Sequence, residues 1–93
     1  MPTGTPPPMS HVQRDGHLQR AEVAYAAYVK VQARIERHEK YAQEMYPDND
    51  RQMAWWLTNN DSDDAWRYRM LCSQRGAYQT IIAVETAMAS LYS

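Results

Sequence analysis

Three histidines are the side chains in this 93-residue chain that first invite a metal hypothesis. His17 and His38 are twenty-one residues apart, or three heptads, so they share one face of a helix. At 1.5 Å per residue they are about 31 Å apart, too far to bind one ion. A Glu-x-x-His metal motif needs a carboxylate three residues before the histidine. The residue three before His38 is Ile35. We therefore expect packing or surface histidines, no metal and no cofactor.

Nucleophiles and phosphate-binding loops lack the neighbours that catalysis requires. Cys72 has Arg69 and Arg75 nearby but no histidine to activate its thiol. No serine has a histidine and an acid at helical spacing, and the three glycines form no phosphate loop. The acidic residues of segment 48–64 lack the glycine and final glutamate of a calcium loop. These features predict that the protein is not an enzyme.

A basic face is the main candidate for nucleic-acid binding. Lys30, Arg34 and Arg37 follow an i, i+4, i+7 spacing, with Tyr41 beside them. Glutamates interleave with these bases, which is typical of a solvated helix face with internal ion pairs. A nucleic-acid-binding accessory protein is therefore kept as an alternative hypothesis.

The cluster at residues 55–57 is the most interface-like part of the chain. Neighbouring helical positions point about 100° apart, so Trp55 and Trp56 cannot both face one core. We expect Trp56 to pack inward and Trp55 to be exposed as a contact residue. The partner-binding residues predicted here are four aromatic residues and two arginines that steer association: Trp55, Tyr25, Tyr41, Trp66, Arg34 and Arg37.

Composition bounds the class of protein. A mass of 10.8 kDa has room for one small core. Ten basic residues against eleven acidic ones (net charge -1) disfavour a protein built mainly to neutralise phosphates. Tyr, Trp and Met are frequent and Phe is absent, which favours half-wet contact surfaces. The longest apolar run, residues 23–29, is too short to span a membrane, and no signal peptide is visible. A location in a reducing cytosol is the expectation.

Residues 1–13 are rich in proline and are predicted to form a disordered arm, followed by a single α-helical domain over 14–93. A helix is predicted from Asp15 to Tyr46, because apolar residues recur four and three residues apart. Its inner stripe comprises Ala24, Tyr28, Val31, Ile35, His38, Ala42 and Met45, and extends back to Ala21 and His17.

A proline break at 47 and a polar break at 59–62 bound a short helix over residues 50–58, in which Met53, Trp56 and Leu57 face inward. Asn49 with Gln52 resembles a capping box. A second long helix is predicted over 63–91, with Gly76 marking a kink or a close helix crossing. Its predicted inner stripe comprises Met70, Gln74, Ala77, Ile81, Val84, Met88 and Leu91, widened by Leu71, Tyr78 and Ile82.

These elements predict an all-α fold, an antiparallel helical hairpin of two long helices with a short helical elbow. Two helices bury one stripe each, so apolar residues off the stripes form an exposed patch. We expect such hairpins to pair into a helical bundle, with a homodimer favoured among homo-oligomers. A purely structural self-assembling component is a further alternative.

Three short segments carry a family resemblance: residues 17–22 (HLQRAE), 46–49 (YPDN) and 52–56 (QMAWW). They resemble small helical orphan proteins (accessory, non-virion) of mycobacteriophages and related actinophages. The resemblance covers residues 15–60, and its motifs mark helix starts and turns. It implies a small protein that binds and modulates a host protein, through host growth inhibition by way of a DivIVA-type coiled-coil scaffold or through superinfection exclusion. No site residue carries over. A non-enzymatic protein–protein interaction module is therefore the leading hypothesis.

Overall fold

The fold is an α-hairpin closed at one end by a short helix. The computed structural model describes residues 8–59 and 62–92, and these contain three helices and no strand: α1 (Pro8–Met45), α2 (Asp50–Asn59) and α3 (Asp63–Ser90). Helices α1 and α3 run antiparallel along one another, and α2 packs on both near the turn. The molecule measures 66 × 20 × 17 Å. The predicted all-α helical hairpin is confirmed.

Helix α1 begins earlier than the sequence pattern indicates. It starts at Pro8 rather than at Asp15, so it includes residues 8–13, which were assigned to the disordered arm. A proline is well suited to the first helical position, because its fixed φ is helical and its missing N–H has no partner there. No further proline follows until Pro47. The rest of the predicted arm, residues 1–7, lies outside the described residues.

The two later helices begin at side-chain caps. The Asn49 Oδ1 accepts a hydrogen bond from the Gln52 backbone N–H at 3.0 Å, as expected for a cap of α2. The Ser62 Oγ accepts from the Ala65 N–H at 3.2 Å and caps α3. Asp63 then lies in the first turn of α3, where its charge complements the helix dipole. The elbow is therefore built from local polar interactions.

The predicted inner stripe of α1 is confirmed over most of its length. Ala24, Val31, Ile35 and Ala42 are buried, and the intervening members Tyr28 and His38 are half-buried. Met45 is the exception, since 42 % of it is exposed at the end of the helix. A strict 3.5-residue repeat drifts relative to a straight helix of 3.6 residues per turn, and Met45 lies where α1 ends.

The predicted inner stripe of α3 is wrong by one helical face. Of its seven residues, only Met88 is half-buried, and the others are exposed: Met70, Gln74, Ala77, Ile81, Val84 and Leu91. The residues that pack against α1 are those that were expected only to widen the stripe, Leu71, Tyr78 and Ile82. Two neighbouring stripes of α3 are both apolar, so periodicity alone does not select between them.

Tyr68 joins the two halves of the small core. It packs against the cluster of Val31, Ile35 and Leu71, and also against the cluster formed around Trp56 under α2. Its hydroxyl donates a 2.9 Å hydrogen bond to the Glu39 carboxylate on α1. Burial, together with this hydrogen bond to a carboxylate, raises the pKa of Tyr68 above its usual range. The phenol thus stays protonated and keeps α3 in register with α1.

Gly76 marks neither a kink nor a close crossing within the protomer. Helix α3 continues through it without interruption. A Cβ placed at this glycine meets no atom within 4 Å, outside its own local backbone. The glycine therefore lowers helix propensity without serving any contact of the hairpin.

We predict that Gly76→Ala stabilises the protein by about 1 kcal/mol, because alanine loses less backbone entropy on helix formation. Urea unfolding followed by circular dichroism measures this difference in unfolding free energy. The matched control is Ala83→Gly, at another exposed position of α3, which should cost about the same amount. Destabilisation by Gly76→Ala would contradict the open space observed at this position.

Candidate interaction surfaces

More large apolar side chains are exposed than buried among the described residues. Nine hydrophobic residues are buried, and four of these are alanines. Thirteen large hydrophobic residues are at least 41 % exposed: Val12, Leu18, Val23, Tyr25, Val29, Tyr41, Met45, Trp55, Trp66, Met70, Ile81, Val84 and Leu91. Single exposed apolar residues are normal, but contiguous groups of them mark interaction surfaces. The positions of these residues therefore decide which surfaces are candidates.

One candidate is an open groove of about 500 Å³ between α1 and α3 near the elbow. We call it the basic groove; its lining residues are Arg34, Arg37, His38, Tyr41, Asp64, Arg67 and Leu71. Three guanidinium groups face a single carboxylate there, so the groove carries a local excess of positive charge. None of the three arginines forms an ion pair with a carboxylate of the described residues. The groove is therefore suited to an acidic or anionic partner.

The structure brings together three of the six predicted contact residues. Arg34, Arg37 and Tyr41 line the basic groove, and the Tyr41 ring also packs on Trp56, with ring centroids 5.8 Å apart. Arg67 of α3 completes the groove from the other long helix. The pairing of positions 34 and 67 depends on how the hairpin closes, so no local pattern could reveal it.

Tyr25 lies on a different surface of the hairpin. It precedes Arg34 by nine residues, and at 100° per residue the two side chains point to opposite sides of α1. Its ring stacks on Tyr28 with centroids 6.2 Å apart, and 58 % of the residue is exposed. A partner in the basic groove therefore does not contact Tyr25.

The two tryptophans among the predicted contact residues, Trp55 and Trp66, are exposed as expected, but they lie on separate parts of the molecule. Trp55 is 49 % exposed on α2 and lines a shallow depression with Asn49, Arg51 and Gln52. Trp56 beside it is buried, which confirms the predicted division of roles between the two rings. Trp66 is 57 % exposed on α3. It points about 100° away from its neighbour Arg67 around the helix.

A polar cluster at the open end of the hairpin was not foreseen from the sequence. The His17 Nδ1 lies 2.5 Å from a carboxylate oxygen of Glu85, and the Arg20 Nε donates to the other oxygen at 3.0 Å. The imidazole also stacks on the Tyr92 ring at a centroid distance of 5.9 Å. Because Glu85 is sixty-eight residues from His17, only the closed hairpin brings them together.

This cluster favours the charged form of its carboxylate. Hydrogen bonds from His17 and from Arg20 lower the pKa of Glu85 below its ordinary value of 4.5. The cluster ties the last turns of α3 to α1 at the end of the molecule that α2 does not cover.

Other site classes find no support in the described ranges 8–59 and 62–92. No group of three or more potential metal-ligating side chains occurs among them, and none of their helices is long and apolar enough to cross a membrane. Comparisons with protein-family models, with curated proteins and with solved structures find no match to this chain. Function therefore has to be inferred from the surfaces themselves.

We predict that the Glu85 cluster makes stability sensitive to acid. A carboxylate whose pKa is lower in the folded state stabilises the fold above pH of about 4.5 and loses that effect as the pH falls through its folded-state pKa. Wild type should therefore be more stable than Glu85→Gln at pH 7, and the difference should shrink towards pH 3. Unfolding free energies measured across this range test the prediction.

Glu22→Gln is the matched control, since it removes an exposed glutamate of α1. Its difference from wild type should vary little over the same pH range. A pH-independent difference between wild type and Glu85→Gln would show that the cluster does not hold a charged carboxylate.

Proposed function

We propose that this protein is a non-enzymatic protein–protein interaction module. The observation that carries the proposal is the surplus of large apolar residues on the surface over those in the core. Among the described residues only five that are larger than alanine are buried, which is few for a domain of this size. Exposed aromatic and aliphatic residues are the usual anchors of interfaces. A thin two-helix molecule also offers little enclosed volume for a substrate.

The partner that best fits this shape is a helical protein. The hairpin is 66 Å long and about 20 Å wide, so it presents long helical faces into which another helix or coiled coil can dock. Trp55, Tyr41 and Trp66 are proposed as aromatic contacts, with Arg34 and Arg37 steering an acidic partner towards the basic groove. Tyr25 serves a second contact on the opposite side of α1.

The resemblance to actinophage proteins leads us to propose a host bacterial protein as the target. Binding would then modulate or inhibit that protein, in host growth inhibition or in superinfection exclusion. A coiled-coil cell-growth scaffold of the DivIVA type is a partner of the required helical chemistry. We also propose that the chain self-associates, because a partner copy is one way to cover its apolar surface.

We predict that the tagged full chain captures one host protein from nuclease-treated mycobacterial lysate, identified by mass spectrometry. Purified, that protein should bind directly and saturably in calorimetry. Trp55→Ala should weaken the binding about 30-fold, as expected when a contact worth about 2 kcal/mol is lost.

The control variant is Val12→Ala, which truncates a residue that is 67 % exposed at the far end of α1. Its affinity should stay within about threefold of wild type. Equal affinity of Trp55→Ala and wild type would remove Trp55 from the contact surface. Failure to retain any host protein would count against a host target altogether.

Nucleic-acid binding is the second candidate, favoured by one observation. The closed hairpin adds Arg67 to the basic face formed by Arg34 and Arg37, with Lys30 one turn before Arg34. Three arginines around one groove can contact neighbouring phosphates, which a single helix face interrupted by glutamates does less well.

If this candidate is correct, affinity for a labelled DNA duplex should fall steeply with salt. Three phosphate contacts predict a loss of about 40-fold between about 50 and about 200 mM salt. The double variant Arg34→Ala/Arg37→Ala should reduce this dependence, whereas Arg51→Ala on α2 should not. Fluorescence anisotropy measures both, and a flat salt response would rule the candidate out.

A further inference from the structure

An apolar stripe on the outside of α3 is largely exposed in the protomer. We call it the outer stripe; its members are Met70, Ala77, Ile81, Val84, Met88 and Leu91. They recur at heptad spacing with Gln74, as the residues of a helix–helix contact do. Of these, Val84 is 54 % exposed and Leu91 is 72 % exposed. The stripe predicted to be the inner one is therefore a second apolar face of the same helix.

Helix α1 widens this face on one side. A groove of about 460 Å³ runs between the two long helices beside the outer stripe. Val23 and Ala27 line it from α1, and Tyr78 and Ile81 line it from α3. Val23 is 66 % exposed. The face thus spans both helices and has a furrow along its middle.

The face is almost free of charge. From Met70 to Leu91 the acidic or basic side chains of α3 are Arg75 and Glu85. Arg75 donates to Gln32 of the same protomer, and the Glu85 carboxylate is engaged by His17 and Arg20. Two such faces can meet without placing like charges opposite each other. Arg20 and Glu85 also line the furrow, and they pair with each other within the protomer.

The size of the face fits a second hairpin better than a single helix. From Met70 to Leu91 the outer stripe is about 32 Å long at 1.5 Å per residue, and the hairpin is about 20 Å wide. The flat footprint is therefore about 600 Å², close to the roughly 800 Å² of accessible surface that each partner of a stable complex buries. One helix, about 10 Å across, would cover only half of it.

The basic groove decides the direction in which two copies pair. Arg67 lies fourteen residues before Ile81 on α3, about 21 Å along the helix. A two-fold axis at Ile81, the middle of the outer stripe, keeps the two Arg67 residues about 42 Å apart, beyond the screening length of about 8 Å. A parallel arrangement would superpose the two basic grooves and repel.

We infer that the outer stripe is the contact face of an antiparallel homodimer, a four-helix bundle with its two-fold axis at Ile81. The inference rests on the self-association proposed above and names its surface, symmetry and direction. It places the two basic grooves at opposite ends of the bundle.

Sedimentation velocity of the full chain over a range of concentrations tests the inference. Val84→Lys introduces two charges into the dimer interface and should weaken dimerisation about 100-fold or more. The matched control is Val29→Lys, which changes the same residue type at similar exposure (47 %) on the other side of the hairpin. It should dimerise as wild type does.

Cross-linking tests the direction independently of the lysine variants. In a Cys72→Ser background, Ile81→Cys should form a disulfide with its own copy, because it lies on the two-fold axis. Arg67→Cys should not, since its copies are about 42 Å apart; a disulfide there would show parallel pairing and overturn the inference. A monomer at all concentrations would overturn self-association itself. Equal dimerisation of Val84→Lys and Val29→Lys would leave self-association standing and reject this face.

Discussion

A two-helix hairpin has only one internal seam, and each helix buries only one stripe of side chains in it. In this protein the seam is filled on α1 by small and medium residues such as Ala24, Val31 and Ile35, with a full core only where α2 adds Trp56 and Leu57. Large apolar residues of the two long helices that lie off this seam are exposed, Val23, Val29 and Trp66 among them. The exposed surfaces follow from this constraint, since burying more of them needs more chain or a second molecule.

Polar pairs along the seam determine which stripe of α3 enters it. Near the elbow Glu39 accepts from Tyr68, in the middle Gln32 accepts a 3.0 Å hydrogen bond from Arg75, and at the open end His17 meets Glu85. The part-buried hydrogen bonds of Tyr68 and of Arg75 each contribute about 1 kcal/mol. Turning α3 to bury the outer stripe would separate all three pairs at once. Hydrogen-bond partners on α1 thus select which of the two similarly apolar stripes of α3 is buried.

The surfaces left outside the seam differ in chemistry. The basic groove near the elbow is charged and suited to an acidic partner, whereas the outer stripe is neutral and apolar and suited to a copy of itself. The basic groove lies near the elbow, whereas the outer stripe runs from Met70 towards the open end of the hairpin. A dimer that presents two grooves at opposite ends would engage a repetitive or elongated partner at two points, which increases affinity without new contacts.

The sequence alone determines the local features of this protein. These features depend on residues within one or two turns of each other, so their pattern is readable. They are the helix caps at Asn49 and Ser62, the proline break after Tyr46 and the inner stripe of α1. The start of α1 is not readable in the same way, because a proline is compatible both with a disordered arm and with a first helical turn. The opposite roles of the neighbours Trp55 and Trp56 were also readable, because helix geometry forces them apart.

Three features are decided only by the tertiary structure. They are which stripe of α3 is buried, the placement of Arg67 beside Arg34 and Arg37, and the contact of His17 with Glu85. Each depends on how α3 is rotated and placed against α1, which is a property of residues far apart in the chain. Helix α3 is apolar on two neighbouring faces, so its own periodicity is consistent with either rotation. The closing of the hairpin selects one of them, because only that rotation gives the polar groups of both helices their partners.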